Sequence, residues 1–202
     1  MIPTAAYRLI AAAFDSQDEL LALLAAEPHL MHERTGLGET PLHYLAVENQ
    51  LAAVKLLVEH GALVDTVNEC GGTPLSESAS LGYCELVAYL LSRDAKLHIA
   101  GQDEPTLHQA VRGGSAAIVV QLLSAGAAVN EQNDLRETAL HLAAESDDRI
   151  EVLEVLLNAG ANTALCRIFD ATALDVALES GSQRCAAALA ARVAPRGDES
   201  AA

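Results

Sequence analysis

Three histidines, His43, His108 and His141, recur at one or two periods of about 33 residues and so invite a metal or catalytic reading. Zinc ligands must converge to about 2 Å from a single ion. A whole period between rings, with one packed helix per period, sets successive imidazoles roughly 10 Å apart. That spacing excludes a shared ion. Ser76 could be joined on paper to a histidine and an acid, but the chain has no GxSxG elbow, no HExxH and no GxxxxGK[ST]. A carboxylate pair for acid–base work needs a pocket that shifts one pKa, and a stack of short helices offers no deep cavity. Glu145, Asp147 and Asp148 are acidic enough to suggest calcium. They lack the alternating ligands and central Gly of a calcium loop, and read as solvated charge or, second, as a protein-contact patch. We therefore expect no catalytic residue, no cofactor-binding residue, no metal ligand and no enzyme activity.

Composition narrows the remaining classes. The chain has 202 residues, 51% of them hydrophobic, but no Trp and only 3% aromatic residues. Ala, Leu and Val without rings suit close-packed helices better than a sandwich or barrel. The balance of 12 Lys+Arg against 28 Asp+Glu leaves a formal charge of −16. A surface this acidic repels nucleic acid and anionic membranes, and no basic stripe offsets it. The partner the charge permits is a protein with a basic surface. Cys70, Cys84, Cys166 and Cys185 show neither CxxC nor zinc spacing, and read as reduced thiols. Cys84 and Cys185 take core-like positions in second helices, whereas Cys70 falls at a loop tip. The apolar run Leu9 to Phe14 is too short for a signal-peptide core, and no stretch is long enough to span a membrane. The expected location is the cytoplasm.

Those helices are organised by an internal repeat. Thr40-Pro41-Leu42-His43 recurs as Thr73-Pro74-Leu75-Ser76, Pro105-Thr106-Leu107-His108, Thr138-Ala139-Leu140-His141 and Thr172-Ala173-Leu174-Asp175, at steps of 33, 32, 33 and 34 residues. Thr40 is a good N-cap and Pro41 suits the first helical turn, where no amide hydrogen is needed. Leu42, Leu45 and Ala46 mark one buried face at i, i+3 and i+4. A second helix follows from about Leu51 to His60, with Val54, Leu57 and Val58 inward. Gly61, Gly126 and Gly160 close three such helices and Asp94 a fourth, each at the place for a left-handed residue. Turn formers Asn68, Gly71 and Gly72 then lead to the next block. Neither helix of a pair can bury its apolar face alone, so the pairs must stack.

The pattern resembles the ankyrin repeat, whose signature is TPLH-x-A followed by LLL-x-x-GA-x-V-N. Matching residues are Thr40 to His43, Leu56-Leu57-Val58, Gly61-Ala62-Leu63-Val64-Asp65, Leu122-Leu123, Gly126-Ala127-Ala128-Val129-Asn130, Leu156-Leu157 and Gly160-Ala161-Asn162. Residues 7–35 fit a degenerate first unit, with Leu9, Ala11 and Ala12 inward. The expected fold is all-α: an ankyrin-type solenoid of five to six helix-turn-helix units with β-hairpin loops. One repeat domain is expected over 1–192, with units near 5–38, 39–71, 72–103, 104–136, 137–170 and 171–192, and a disordered tail from 193 to 202. Arg136 and Asp103 stand where the family prefers Gly, Ser76 stands where it has His, and Glu145 to Asp148 contain one extra residue.

The resemblance implies that the motif histidines hydrogen-bond loop backbone between neighbouring repeats. It also implies a non-enzymatic protein–protein interaction module, an adaptor or scaffold, monomeric when free. Its contact face would be concave, built from loop tips and first-helix ridges. By repeat phase the tips hold Leu37, Glu39, Glu69, Cys70, Gln102, Glu104, Leu135, Glu137, Ile168 and Phe169. The ridges hold Glu48, Leu81, Arg112, Glu145 and Glu179. Apolar tips rimmed by acids have the look of an interface for a basic partner. The alternative is a stoichiometric inhibitor or immunity-type protein that neutralises a basic toxin or nuclease; more remote is an enzyme accessory with a small-molecule or metal site.

Overall fold

A computed structural model of the chain describes residues 5–193. Twelve α-helices are found among them, and they divide between two compact units that meet in sequence at Gly113 and Gly114. The first unit holds α1 (Ala5–Asp15), α2 (Gln17–Ala26), α3 (Pro41–Val47), α4 (Leu51–Glu59), α5 (Pro74–Ser80), α6 (Cys84–Ser92) and α7 (Thr106–Arg112). The second holds α8 (Ala116–Ser124), α9 (Ala139–Ala144), α10 (Ile150–Asn158), α11 (Ala173–Glu179) and α12 (Gln183–Val193). The expected tail lies outside the described residues, apart from Val193, which ends α12.

Helices of 6–11 residues are too short to persist alone in water. They are held by packing. In the first unit the first helices of successive repeats lie side by side, α1 on α3, α3 on α5 and α5 on α7. In the second unit α9 packs on α11, while the second helices α8, α10 and α12 form their own row. The buried stripes follow the predicted spacing: Leu42, Leu45, Ala46, Val54 and Leu57 are fully enclosed. The phase slips by one elsewhere. Leu122 is enclosed but Leu123 and Val58 are only half-buried, and Ala11 is exposed. On a helix the enclosed stripe is narrow, and a residue one position round the cylinder meets the rim instead.

Four of the first helices, α3, α5, α9 and α11, are started by a reciprocal pair of side chains, the arrangement known as a capping box. The Thr73 hydroxyl accepts from the Ser76 N–H at 3.0 Å, and Ser76 Oγ accepts from the Thr73 N–H at 2.9 Å. Thr172 and Asp175 do the same at 3.3 and 2.8 Å. In the repeats that keep histidine, Nδ1 of His43 accepts from the Thr40 N–H at 3.2 Å, and Nδ1 of His141 from the Thr138 N–H at 3.1 Å. The fourth residue of the motif is thus a cap first. Helix exits follow the expected rule, with Gly61, Asp94, Gly126 and Gly160 all at φ between +60° and +102°. The extra residue near Glu145 is taken up by a 3-10 turn over Asp147–Arg149.

The expected β-hairpins are not formed as ladders. Among the described residues only isolated bridges occur, Gln132 with Thr138 and Cys166 with Thr172. Four loops instead close on one backbone bond across five residues, Thr35 N–H to Glu39, Asn68 to Gly72, Asn133 to Glu137 and Arg167 to Ala171, at 2.8–3.0 Å, while the loop before α7 closes from the Thr106 N–H to the Leu97 carbonyl at 3.2 Å. Side chains supply what a ladder would. The Asn68 side-chain oxygen accepts from the N–H groups of Cys70 and Gly72 at 3.0 and 2.9 Å. Asn133 does so for Leu135 and Glu137 at 3.0 and 2.9 Å. A side chain that mimics a turn competes with regular strand pairing.

Candidate functional site

The loop tips are stacked by single backbone bonds. In the first unit the Leu37 carbonyl accepts from the Glu69 N–H at 3.1 Å, and the Gly71 carbonyl from the Asp103 N–H at 3.2 Å. In the second unit the Leu135 carbonyl accepts from the Ile168 N–H at 3.0 Å. This leaves apolar side chains directed outward: Leu37 is 59% exposed, Leu135 50%, Ile168 37% and Phe169 94%. Phe169 and Asp170 both adopt left-handed backbone, at φ +67° and +58°. An aromatic residue there is strained by about 1 kcal/mol or more, so the fold holds the ring in solvent at a cost. Arg136 likewise takes φ +58° at its glycine position. Asp103 does not, because Gly101 at φ +88° makes the turn two residues earlier.

The other members of the predicted face divide. Glu48, Glu69, Cys70, Leu81, Arg112 and Glu179 are exposed, and Glu39, Glu104 and Glu145 are half-buried. Two expectations of exposure are corrected. Gln102 is buried: its amide donates to the Glu104 carbonyl at 2.8 Å and to the Thr106 hydroxyl at 3.1 Å, so it ties the loop to α7. Glu137 is buried as well, accepting from the Asn133 side chain at 3.2 Å and pairing with Arg167 at 3.5 Å. Three of these acids are paired with arginines. Arg112 pairs with Glu104 at 2.9 Å, Arg149 with Glu145 at 3.1 Å and Arg167 with Glu179 at 3.1 Å. Arg149 and Arg167 were missed because neither falls at a tip or ridge position.

His43 and His141 connect neighbouring repeats. Nε2 of His43 lies 3.0 Å from the Thr66 carbonyl, and Nε2 of His141 lies 3.2 Å from the Ala171 carbonyl. Burial lowers the pKa of His43 to about 4 and lowers that of His141 as well. Both rings are neutral at pH 7. Nδ1 accepts the cap N–H, so Nε2 carries the proton and donates it to the next loop. His108 differs because its N-cap is Pro105, which has no N–H to give. Among the described residues no group of three His, Cys, Asp or Glu is arranged to hold a metal. Cys185 is fully enclosed, and burial raises its thiol to about 11; Asp147 beside it accepts the Cys185 N–H at 3.0 Å. A thiol held that high is a packing group. Cys84 is half-buried rather than core.

The cap recurs at four first helices, the five-residue closure at four loops and the histidine bridge at two, all in phase with the period of about 33 residues. The family model for ankyrin repeats, three copies in tandem, matches residues 9–100 and again 107–196. The chain belongs to the ankyrin repeat family. It is 33% identical over 150 residues to the ankyrin repeat and KH domain-containing protein mask-1 of Caenorhabditis elegans, covering 74% of this chain and 6% of that protein. It is 33% identical over 172 residues to human SH3 and multiple ankyrin repeat domains protein 2, covering 83% of this chain and 9% of that protein. It is 30% identical over 184 residues to the E3 ubiquitin-protein ligase XBAT33 of Arabidopsis thaliana, covering 88% of this chain and 34% of that protein. The chain thus spans about a third or less of each of these relatives. Ankyrin repeats are protein–protein interaction modules. Among the described residues no helix is long and apolar enough to cross a membrane.

One group stands out from the ankyrin pattern and was not singled out from the sequence. Glu77 on α5 directs its carboxylate inward beside a cavity of about 180 Å³ lined in part by Gly72, Ser76, Asp103 and Gln109. Oε1 accepts from the Asn68 side-chain amide at 2.7 Å. Oε2 is sealed from solvent and has no hydrogen-bond partner among the described residues. Burial raises the carboxyl to about 7; the Asn68 bond opposes this, and the Glu39 charge adds to it. A Glu on a short helix looks ordinary in sequence, and only the neighbouring loop makes it unusual.

Proposed function

We propose that this chain is a non-enzymatic adaptor or scaffold module whose loop tips and first-helix ridges bind a protein with a basic surface. The observation that carries the reading is Phe169, 94% exposed on left-handed backbone, with Leu135 and Ile168 exposed beside the same loop bond. An aromatic ring held in water at the expense of backbone strain supports binding, because buried aromatics dominate protein interfaces. The formal charge of −16 supports a basic partner over an acidic one. Glu48, Glu69 and Glu179 lie exposed on the tips and ridges and supply negative charge there. Membership of a family of interaction modules supports the general class. The free chain is read as a monomer in the cytoplasm.

The test is affinity purification with the intact chain and with Phe169→Ala, followed by quantitative mass spectrometry. A basic protein retained by the first and depleted from the second is the expected result. Identical sets of captured proteins would overturn the assignment of the contact surface.

A further inference from the structure

We propose that the cavity beside Glu77 is a subsite for one cationic side chain, lysine or arginine, of the basic partner. The proposal rests on the protein-binding reading and adds the chemistry of a single contact. Asn68 satisfies Oε1 at 2.7 Å and Oε2 is enclosed without a donor among the described residues, so a cation in the cavity meets Oε2 once the carboxylate turns about its last torsion. A buried acceptor left without a partner is costly, and more so when charged. The cavity is about 180 Å³, enough for an ammonium or guanidinium head and part of its stem.

The walls favour a monocation. A Cβ at Gly71 would strike the Asp103 carboxyl, and one at Gly72 would lie 2.6 Å from Glu77 Oε1, so the glycines keep the space open next to two carboxylates. Ser76, Ser80 and Gln109 add uncharged hydrogen-bonding groups. An anion is repelled, a neutral group leaves Glu77 uncompensated, and no third ligand completes a metal set among the described residues. Arg112, on a helix packed against α5, is engaged elsewhere. Of the elements packed on α5, α3 brings His43, which turns to Thr66, and its preceding loop brings Glu39. Helix α6 brings Glu85, which is exposed. Helix α7 brings His108 and Arg112, the latter paired with Glu104, and its preceding loop brings Asp103.

Because the free carboxyl titrates at about 7, a cation must displace its proton below that pH. Binding therefore tightens with rising pH, by about tenfold between pH 6 and pH 8. An ordinary surface carboxylate shows no such change in that range.

The full chain is titrated with n-butylguanidinium and n-butylammonium, with n-butylurea as the neutral control, and the side-chain amides of Asn68 and Gln109 are followed by NMR. Saturable shifts with both cations, the tenfold pH dependence and at least tenfold weaker binding in Glu77→Gln are expected. Asp103→Asn is a second variant should Glu77→Gln fail to fold, and it too should weaken binding. Absent shifts, unchanged binding in a folded variant, or pH-independent binding would overturn the subsite. If the cations do not bind while a Phe169-dependent partner is found, the subsite alone fails. If they bind at Glu77 and no partner depends on Phe169, the surface reading fails instead.

Discussion

Nε2 of His43 stands 3.0 Å from the backbone carbonyl of Thr66, in the loop that leads to the next repeat. The same ring accepts the Thr40 N–H, so one side chain caps its own helix and secures its neighbour's loop. Replacing His43 with Ala removes both bonds and opens a cavity at a fully enclosed site. The expected loss is about 2–4 kcal/mol by urea denaturation at pH 7.5. Ser76→Ala breaks only a cap and should cost about 1 kcal/mol.

The His43 ring is neutral in the fold, its pKa lowered from the ordinary 6.5 to about 4. A depressed value means the unfolded chain binds more protons. Stability from this site is present in full above about pH 6.5 and is lost as pH falls from 6.5 toward 4, by an amount on the order of 3 kcal/mol. His141 moves in the same direction. Glu77 works against them: its carboxyl is raised to about 7, so the fold binds the extra proton and loses stability as pH rises from about 4.5 to 7. Between pH 4.5 and 6.5 the slopes oppose. Glu77→Gln should therefore make stability rise more steeply with pH across that window; an unchanged profile would mean that Glu77 titrates normally.

Leu57 and Leu122 are fully enclosed, while Leu123 is only half-buried. Truncation to Ala should cost about 2–5 kcal/mol at the first two positions and nearer 1 kcal/mol at Leu123. Equal losses at Leu122 and Leu123 would contradict the burial pattern.

Phe169→Ala should leave stability within about 0.5 kcal/mol, since the ring is 94% exposed. Phe169→Gly should raise stability by up to about 1 kcal/mol, because glycine relieves the strain at φ +67°. Both should weaken partner binding by about 1–4 kcal/mol in calorimetry. A loop that needed the ring for folding would instead melt early in both variants.

Charge reversal at Glu48, exposed at the end of α3, should slow association with the basic partner, and the effect should shrink as salt rises. The same change at Glu59, exposed at the end of the second helix α4, should leave the rate unaltered. Stopped-flow or surface-binding rates at two salt concentrations distinguish the outcomes.

The repeat period, the helix order and most of the enclosed stripe could be read from residue types, because caps, turn residues and helical spacing are local preferences that the chain states at every unit. Thr40 and Pro41 announce a helix start wherever they sit, and Asp94 could be read as a stand-in for glycine. Tertiary packing decided the rest. Whether Glu137 faces water or Arg167, whether Gln102 is a contact or a strut, and whether Leu122 or Leu123 fills the core depend on which neighbour lies opposite. The loops replaced expected hairpins with side-chain-capped turns, because Asn68 and Asn133 take over the bonds a ladder would make. Glu77 shows the division most clearly: its residue type alone suggests solvated charge. Only the loop from Asn68 to Gly72 and the adjoining α7, brought near by stacking, enclose its carboxylate and raise it to about 7.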